Sequence, residues 1–379
     1  MDRLRQRRSL AGLAGQEALF DGHDRVQHVH SLGPERVALP GLRRGSTFFR
    51  HMATREVPEA GLWRLDCYQS VAPALFVLTN ALVHSSPGIL AVGDYVIAES
   101  LDHTDPGLHR YDLLGQDVRL RAGTVERVDA VAICLLAGSC GSVYHWFADA
   151  VGRLGAIPDT YRQAASVLLI SASVPVEQRR LLDKLLLPHG LAVRAVRADE
   201  TLHIRILVVP ASVSAGFRYH PCLRATLRAA LDQPQAARTW PRRIYVDRRG
   251  APARRLVNEG ELIRQLGRMG VVPVALEALT LDEQIALFRG AELVVAPHGA
   301  GLANCVFAAP GCRVIELLMD SYVNWCFRNL AGLCGLDYDC IIGRTLGAWA
   351  ELSPAVHGSE WVVSIPHVIA AVADGARQA

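Results

Sequence analysis

The chain has 379 residues, which is too long for one ordinary hydrophobic core and predicts two or three domains. Half of the residues are hydrophobic and a fifth are charged, the proportions of a folded globular protein. The formal net charge is only +3. Because the arginines are scattered among acidic residues, the sequence has no basic stripe, and a nucleic-acid partner is disfavoured.

The nine cysteines indicate neither disulfides nor a zinc site. Their number is odd, and they spread from Cys67 to Cys340 without a CxxC pair. Cys134, Cys140 and His145 are close enough in sequence to suggest metal ligands, but a fourth ligand is missing. We therefore predict reduced core cysteines and no metal.

The first residues are basic, with four arginines among residues 1–9. Residues 10–20 are interrupted by glycine, glutamine and glutamate, so they do not form the apolar core of a signal peptide. The sequence also lacks the run of about 18 apolar residues that a membrane span needs. We expect a cytoplasmic protein whose basic N-terminus is a candidate peripheral contact with the inner face of a membrane.

The first half of the chain divides into an irregular N-terminal extension, residues 1–54, and an α/β domain, residues 55–232. β-Branched residues alternate early in this domain and predict an antiparallel or mixed patch of strands. Helical spacing follows Ser142, a candidate N-cap, and strands and helices then alternate. The predicted strands are 89–100, 118–136, 165–170 and 203–210, and the predicted helices are 143–155, 176–187 and 223–231.

The second half follows a polar linker that begins at residue 232 and leads to Pro241. Residues 241–360 alternate regularly between strand and helix and predict a doubly wound, Rossmann-like α/β domain. A C-terminal helix is expected within residues 361–379. The predicted strands are 243–247, 271–276, 292–296 and 313–317, and the predicted helices are 258–269, 281–289, 302–307 and 366–376. Two such domains facing each other across a cleft would bind ligands in that cleft.

A glycine turn lies between the third strand and the next helix of this second domain. Its residues are His298-Gly299-Ala300-Gly301, and Asn304 lies in the helix that follows. Glycine lets a ligand approach the backbone closely, and the free amides at a helix start can donate to an anion. An ordinary βα loop is the alternative. A histidine at the carboxyl end of a parallel strand favours a phosphate-binding turn.

Arginines crowd the end of the first strand of the same domain. Arg248, Arg249, Arg254 and Arg255 follow residue 247. The planar guanidinium suits phosphate oxygens, although we expect at least two of the four to be ordinary surface residues.

Two acidic residues near these arginines, Glu259 and Glu316, each have more than one possible role. Asn258 and Glu259 begin a helix, where they can serve as N-cap and as a favourable charge for the helix dipole. Glu316 interrupts an apolar strand, where its carboxylate could accept hydrogen bonds from ribose hydroxyls. A buried carboxylate needs a partner, so Glu316 must meet either an arginine or a ligand.

Together these residues resemble family 61 of the glycosyltransferases. The segments that carry the resemblance are His145-Trp146-Phe147-Ala148-Asp149 with Leu154, Tyr245-Val246-Asp247-Arg248-Arg249, Arg255, Asn258-Glu259, Gln284 and His298-Gly299-Ala300-Gly301-Leu302-Ala303-Asn304. Their order and spacing make the combined match specific. One departure is Asp247, where the family often has serine, and we expect it to pair with a neighbouring arginine.

The resemblance implies a GT-B architecture and an inverting transfer from a UDP-sugar to a glycan or polysaccharide acceptor, with no cofactor and no catalytic metal. It implies that the donor is bound by Arg248, Arg249, Arg255, Asn258, Glu259, His298, Gly299, Ala300, Gly301, Asn304 and Glu316.

Inversion needs a base for the acceptor hydroxyl. His145 and Asp149 are four residues apart and share one helix face, and either could take the proton. A capping or core role is the structural alternative for this pair. Two other functions stay open: a different GT-B nucleotide-sugar chemistry such as epimerisation, and a non-catalytic nucleotide- or carbohydrate-binding partner protein.

Overall fold

The computed structural model describes residues 4–10, 24–42, 65–84, 88–100, 111–114, 117–120, 124–185, 190–232, 239–346 and 359–375. The chain forms two compact units. The first consists of Met1–Glu35 and Ser70–Ala230, and the second consists of Arg36–Gln69 and Leu231–Ala379. The chain therefore passes between the units three times.

The strands are numbered in chain order. They are β1 Leu4–Arg8, β2 Val26–Ser31, β3 Arg36–Ala38, β4 Cys67–Gln69, β5 Ala74–His84, β6 Ile89–Val92, β7 Tyr95–Ile97, β8 Tyr111–Leu114, β9 Asp117–Leu120, β10 Val125–Cys134, β11 Val167–Ser171, β12 Ala192–Val196, β13 Thr201–Pro210, β14 Ser214–Ala215, β15 Arg218–Tyr219, β16 Arg243–Val246, β17 Arg255–Leu256, β18 Val272–Val274, β19 Leu293–Pro297, β20 Arg313–Met319, β21 Asp337–Thr345 and β22 Glu360–Val362.

The helices are numbered in the same way. Helix α1 is a continuous segment made of α-helical Val143–His145, π-helical Trp146–Ala150 and 3₁₀-helical Val151–Ala156. The others are α2 Asp159–Ala164, α3 Val176–Lys184, α4 Pro221–Arg228, α5 Glu259–Gly267, α6 Leu281–Gly290, α7 Cys326–Cys334 and α8 Ile365–Gly375. Separate 3₁₀ helices span Ala98–Ser100, Ala229–Asp232, Leu276–Ala278 and Ala300–Phe307.

The first unit is built on a mixed sheet of eleven strands within the described residues. Strands β12, β11, β10 and β13 are neighbours in that order and run parallel, and the strands beyond β13 begin with antiparallel β5. Leu78, Leu169 and Leu207 are fully buried in its core. Helix α1 follows the carboxyl end of β10, which is the edge of a parallel sheet where functional side chains collect.

The N-terminal residues depart from the irregular extension predicted for 1–54. Strand β1 lies between β7 and β9 in the large sheet, and β2 pairs with β5. Arg5 is 3% exposed and donates to the carbonyl oxygen of Gly93. The described part of the basic segment is thus an interior strand, because sheet hydrogen bonds outweigh its polar side-chain pattern. None of the described helices is long and apolar enough to cross a membrane.

The second unit contains the predicted doubly wound sheet. Strands β18, β16, β19, β20 and β21 are neighbours in that order, and all of these pairings are parallel. In order of first appearance the strands are arranged 2-1-3-4-5. In sheets of this order, ligands bind where the strand order reverses, between the carboxyl ends of the first and third strands. Here those strands are β16 and β19.

Two predicted boundaries of the second domain differ from the structure. Residues 36–69 belong to this unit, although the sequence assigned residues 36–54 to the N-terminal extension and residues 55–69 to the first domain. Helix α8 is not a separate C-terminal element, because Val368 and Val372 are buried in the same core as Leu262 and Ile315. The predicted linker residues 233–238 lie outside the described residues.

Arg328 on helix α7 anchors the segment 36–69. The side chain is 2% exposed, and its guanidinium donates to the carbonyl oxygens of Pro40 (3.1 Å) and Leu65 (2.9 Å). A buried guanidinium requires such acceptors, and the two carbonyls require a donor.

The anchor predicts a destabilised variant. Arg328→Met is expected to lower the free energy of unfolding by about 2–4 kcal/mol, because the carbonyl oxygens of Pro40 and Leu65 lose their charged donor. Urea unfolding measures this loss. Arg264→Met is the control: Arg264 is 73% exposed and pairs with Glu261 on the surface, so its loss should change stability by less than ~1 kcal/mol. Equal effects of the two variants would contradict the anchoring role.

Candidate functional site

The strand order places two loops together at the carboxyl ends of β16 and β19. Arg248 follows β16, and His298 follows β19. Nη1 of Arg248 donates to the carbonyl oxygen of His298. The arginine predicted to bind phosphate therefore lies against the glycine turn that was predicted for the same purpose.

Glycine is required in this turn for space. A Cβ atom at position 299 would lie 1.9 Å from Nη1 of Arg248, and one at position 301 would lie 2.8 Å from Cδ1 of Leu276. The φ of Gly299 is 173°, an extended value that any residue adopts, so the constraint is close approach and not backbone strain. Ala300 and Gly301 begin the 3₁₀ helix, and the first amides of a helix have no acceptor within it. The turn can therefore offer backbone donors beside a guanidinium.

A second arginine increases the positive charge beside the turn. Burial lowers the pKa of Arg248, and the charge of Arg254 lowers it further, so the two guanidinium groups repel each other. Arg254 lies over the ring of Tyr322, 4.9 Å from its centroid. Glu259 and Glu277 offset part of the charge on Arg248. An anion bound between the arginines would relieve their repulsion.

Arg249 and Arg255 lie outside this cluster. Arg249 is exposed and forms an ion pair with Asp247 at 2.6 Å, which is the partner we expected for that aspartate. Arg255 is 71% exposed and pairs with Glu360 across strands β17 and β22. Arg254 precedes strand β17 with a φ of +54°, and Arg255 begins that strand, so the sequence could not show which of the two is directed towards the turn.

Asn258 and Glu259 support the arginine loop from within. Glu259 is 3% exposed and accepts from the hydroxyl of Tyr245 and from the backbone N–H of Arg248, both at 2.9 Å. Asn258 does not cap helix α5 through its side chain. Its amide instead donates to the carbonyl of Val363 and accepts from its N–H. A direct contact of Asn258 and Glu259 with the sugar donor, as predicted from the sequence, does not fit these protein partners.

Burial raises the pKa of Glu259 above its ordinary value of 4.5. The folded protein therefore binds a proton that the unfolded chain releases, and stability falls as pH rises from 4.5 through the raised pKa. Glu259→Gln keeps an acceptor oxygen for both donors and does not titrate. We expect this variant to lose less stability than the wild type across that window in urea unfolding.

Glu261 on the same helix provides a control of opposite sign. Hydrogen bonds from Gln265 and Arg264 lower its pKa, so it stabilises the fold above the ordinary pKa and loses this effect as pH falls. Glu261→Gln should therefore reduce the loss of stability in acid. The same pH dependence in both variants would contradict the assignment to Glu259.

His298 is held at both ring nitrogens. Nδ1 lies 2.5 Å from Oε1 of Glu316, and Nε2 lies 3.2 Å from Nδ2 of Asn324. Oδ1 of Asn324 accepts from the N–H of Cys326, which orients the Asn324 amide so that Nδ2 donates to the ring. Nε2 of His298 must then be the acceptor and Nδ1 the donor. His298 as a whole is 8% exposed, and its imidazole serves to position the turn.

Glu316 is wholly buried, and both of its oxygens have protein donors. Oε1 faces His298, and Oε2 accepts from the hydroxyl of Tyr338 at 2.5 Å. Burial and the charge of Glu316 raise the pKa of Tyr338 well above its ordinary value, which keeps that hydroxyl a donor. The predicted contact of Glu316 with ribose does not fit this burial, because the carboxylate meets its need for partners inside the protein.

Asn304 also supports the turn from behind. It is completely buried, and Nδ2 donates to Oε1 of Gln284 and to the carbonyl of Gly301. Gln284 in turn donates to the carbonyls of Leu276 and Leu279. Asn304, which was predicted to contact the nucleotide-sugar donor, thus fixes the shape of the turn. Arg254 was one of the four arginines considered from the sequence but was not among the predicted donor-binding residues. Tyr322 and Asn324 gave no motif signal.

The second candidate group lies on helix α1 in the first unit. Nδ1 of His145 lies 2.7 Å from Oδ2 of Asp149, as expected for residues four apart on one face. Oδ1 of Asp149 accepts from the hydroxyl of Ser214 at 3.1 Å. The side chain of His145 is 39% exposed, and Nε2 has no hydrogen bond to any described residue. Among the described residues, the pair therefore leaves one ring nitrogen of a partly exposed histidine without a hydrogen bond.

Helix α1 is irregular where this pair lies. Ser142 precedes it without a side-chain cap, and the helix changes to π geometry at Trp146–Ala150. Single π turns occur often at functional sites. Trp146 is completely buried, and its Nε1 donates to the carbonyl of Gln178, which fixes the helix to α3.

The metal alternative at Cys134, Cys140 and His145 has no support in the described residues, where no group of three or more potential ligands could hold a metal ion. Burial raises the pKa of both thiols, that of Cys140 to about 12.

Residues 143–315 match the family model described as Glycosyltransferase 61. The match begins with helix α1 and ends within β20, so it includes both candidate groups. This segment, a little under half of the chain, is similar to glycosyltransferase family 61. The resemblance drawn from the motifs is therefore confirmed.

Curated relatives match part of the chain. Protein O-linked-mannose beta-1,4-N-acetylglucosaminyltransferase 2 of Takifugu rubripes is 35% identical over 122 residues, which is 30% of this chain and 20% of the relative. EGF domain-specific O-linked N-acetylglucosamine transferase of Drosophila melanogaster is 32% identical over 97 residues, 25% of this chain and 18% of that protein. The matched part thus spans about a fifth of the length of these relatives.

Proposed function

We propose that this protein transfers a sugar, with inversion, from a UDP-sugar to a hydroxyl of a glycan or polysaccharide, and that the two units adopt a GT-B arrangement for it. The observation that carries the proposal is the pair His145 and Asp149, which leaves Nε2 of the histidine without a hydrogen bond to any described residue, within the segment that matches family 61. An inverting displacement needs one such base.

His145 is the better candidate for the base. Both carboxylate oxygens of Asp149 have partners, His145 and Ser214, whereas Nε2 of the ring has none in the part of the chain that the structure describes. A carboxylate bound to one ring nitrogen fixes the tautomer so that the other nitrogen accepts a proton, and it stabilises the imidazolium that forms. Asp149 then acts as the residue that orients and supports His145.

The donor diphosphate is assigned to the arginine cluster beside the glycine turn. Arg248 and Arg254 supply positive charge, and the backbone amides of Ala300 and Gly301 supply donors. Negative charge grows on the UDP as it leaves, and fixed donors and cations at that point stabilise the transition state. These groups are protein side chains and amides, so the proposal requires no metal.

The names of the relatives suggest which donor to test first. Both proteins are named as transferases of N-acetylglucosamine, and one is named for O-linked mannose. We therefore propose UDP-N-acetylglucosamine as donor and a glycan hydroxyl as acceptor.

A screen of UDP-sugars tests the proposal. The purified chain is incubated with each donor, with and without EDTA, and with p-nitrophenyl glycosides as acceptors, and products are analysed by mass spectrometry and NMR. A new glycosidic bond of inverted anomeric configuration, formed also in EDTA, supports the proposal. An epimerised nucleotide sugar would indicate a different chemistry, and UDP binding without any turnover would indicate a non-catalytic binding protein.

A further inference from the structure

A short hairpin beside the candidate base exposes an aromatic ring. Strands β14 and β15 pair Ser214 with Tyr219 and Ala215 with Arg218, and only Gly216 and Phe217 lie between them. Phe217 at the tip is 38% exposed.

The ring is held at the tip by an unfavourable backbone conformation. Gly216 has φ +54° and Phe217 has φ +60°, the signs expected for a type I′ turn. Glycine, asparagine or aspartate normally occupies the second position of such turns, and a bulky residue there is an outlier. An outlier of this kind is a reason to look for a functional constraint.

The hairpin is attached to helix α1 at both of its strands. The hydroxyl of Ser214 donates to Oδ1 of Asp149, and the hydroxyls of Tyr219 and Tyr144 lie 2.7 Å apart. Ala215 and Gly216 separate Ser214 from Phe217, so the two residues are at most roughly 10 Å apart along the chain. Phe217 is therefore within the length of a short oligosaccharide of the Asp149 and His145 pair.

We propose that Phe217 is the platform on which a sugar ring of the acceptor stacks while its hydroxyl lies at His145. The apolar C–H face of a pyranose packs well against an exposed aromatic ring of this kind, since an aromatic ring contributes a large contact area at little cost in conformational entropy. The inference rests on the proposed function, because it assigns the acceptor side of the same site.

Three variants separate the ring from the fold of the hairpin. Phe217→Asn removes the ring and places a residue that tolerates positive φ, so the hairpin should form at least as well as in the wild type. Phe217→Trp keeps an aromatic platform. Val193→Asn is the control, because Val193 is an exposed apolar residue on β12 in the same unit.

The experiment compares acceptor KM and kcat for transfer from the UDP-sugar and p-nitrophenyl glycoside that the wild type uses. For Phe217→Asn we expect acceptor KM to rise about tenfold with a much smaller change in kcat, whereas Phe217→Trp and Val193→Asn should keep the wild-type KM. An unchanged KM in Phe217→Asn, with transfer intact, would overturn the platform alone. Absence of transfer by the wild type to every glycoside would overturn the proposed function, and the platform with it.

Discussion

Replacement of His145 by alanine is expected to lower kcat for sugar transfer by about 10²–10⁴-fold, the usual contribution of a positioned general base. The affinity for UDP should not change, because the arginine cluster is in the other unit. Asp149→Asn should lower kcat as well, since the amide cannot stabilise the imidazolium as a carboxylate does. Steady-state kinetics for transfer and calorimetry for UDP provide the two measurements.

A matched histidine controls for the loss of a ring. His203 pairs with Arg127 near the start of β10, whereas His145 follows the end of that strand, so His203→Ala should retain wild-type kcat. Ser214→Ala removes one of the two bonds to Asp149 and should have a smaller effect than Asp149→Asn. Near-wild-type transfer by both His145→Ala and Asp149→Asn would show that the base lies elsewhere.

Arg248→Ala is expected to weaken UDP binding by about 10- to 100-fold, because a hydrogen bond to a charged group contributes ~1.5–3 kcal/mol. Arg249→Ala is the matched control. The two arginines are adjacent in sequence, but Arg249 is exposed and already paired with Asp247, so its loss should have little effect on affinity. Calorimetry at constant ionic strength measures both, because salt screens such contacts.

Gly299→Ala tests the same contact without removing a charge. The added methyl group would occupy the position of the Arg248 guanidinium, 1.9 Å from Nη1, and would displace it from the carbonyl of His298. We expect UDP affinity to fall in Gly299→Ala as well, with thermal stability close to that of the wild type because the displaced group is the end of a flexible side chain. If Arg248→Ala and Arg249→Ala both left the UDP affinity nearly unchanged, the arginine cluster would not be the diphosphate site.

The pairing of His298 with Glu316 changes how the family 61 motif is understood in this chain. The imidazole of His298 lies between Glu316 and Asn324, and the backbone carbonyl of His298 accepts from Arg248. The residue therefore acts through the groups it positions. A motif histidine next to glycines invites a ligand-binding role. Here the hydrogen-bond partners show that its ring is already satisfied by the protein.

Local sequence patterns determined much of the second unit. Strands β16, β19 and β20 and helices α5 and α6 lie close to their predicted bounds, because each has a strong period, a glycine or a capping group at its end. The motif order also indicated the family correctly, since glycine spacing and adjacent charged residues are properties of the chain itself.

Long-range pairing decided what the sequence could not. Strands β5 and β21 were not predicted, because both are largely buried on their two faces and lack the alternation that marks a half-exposed strand. Residues 36–69 join the second unit through long-range contacts, among them the hydrogen bond from Arg328 to Pro40, two residues that are nearly 300 positions apart in the chain.

The roles within the candidate site divide in the same way. The sequence by itself placed His145 with Asp149, because residues four apart on a helix must share a face, and it placed Arg248 near the turn, because parallel strand ends share an edge. Only the tertiary structure separated Arg248 from Arg249 and Arg255, and showed that Glu316, Asn304 and His298 have protein partners. Side-chain burial and hydrogen-bond partners arise from contacts between distant segments, and no local pattern encodes them.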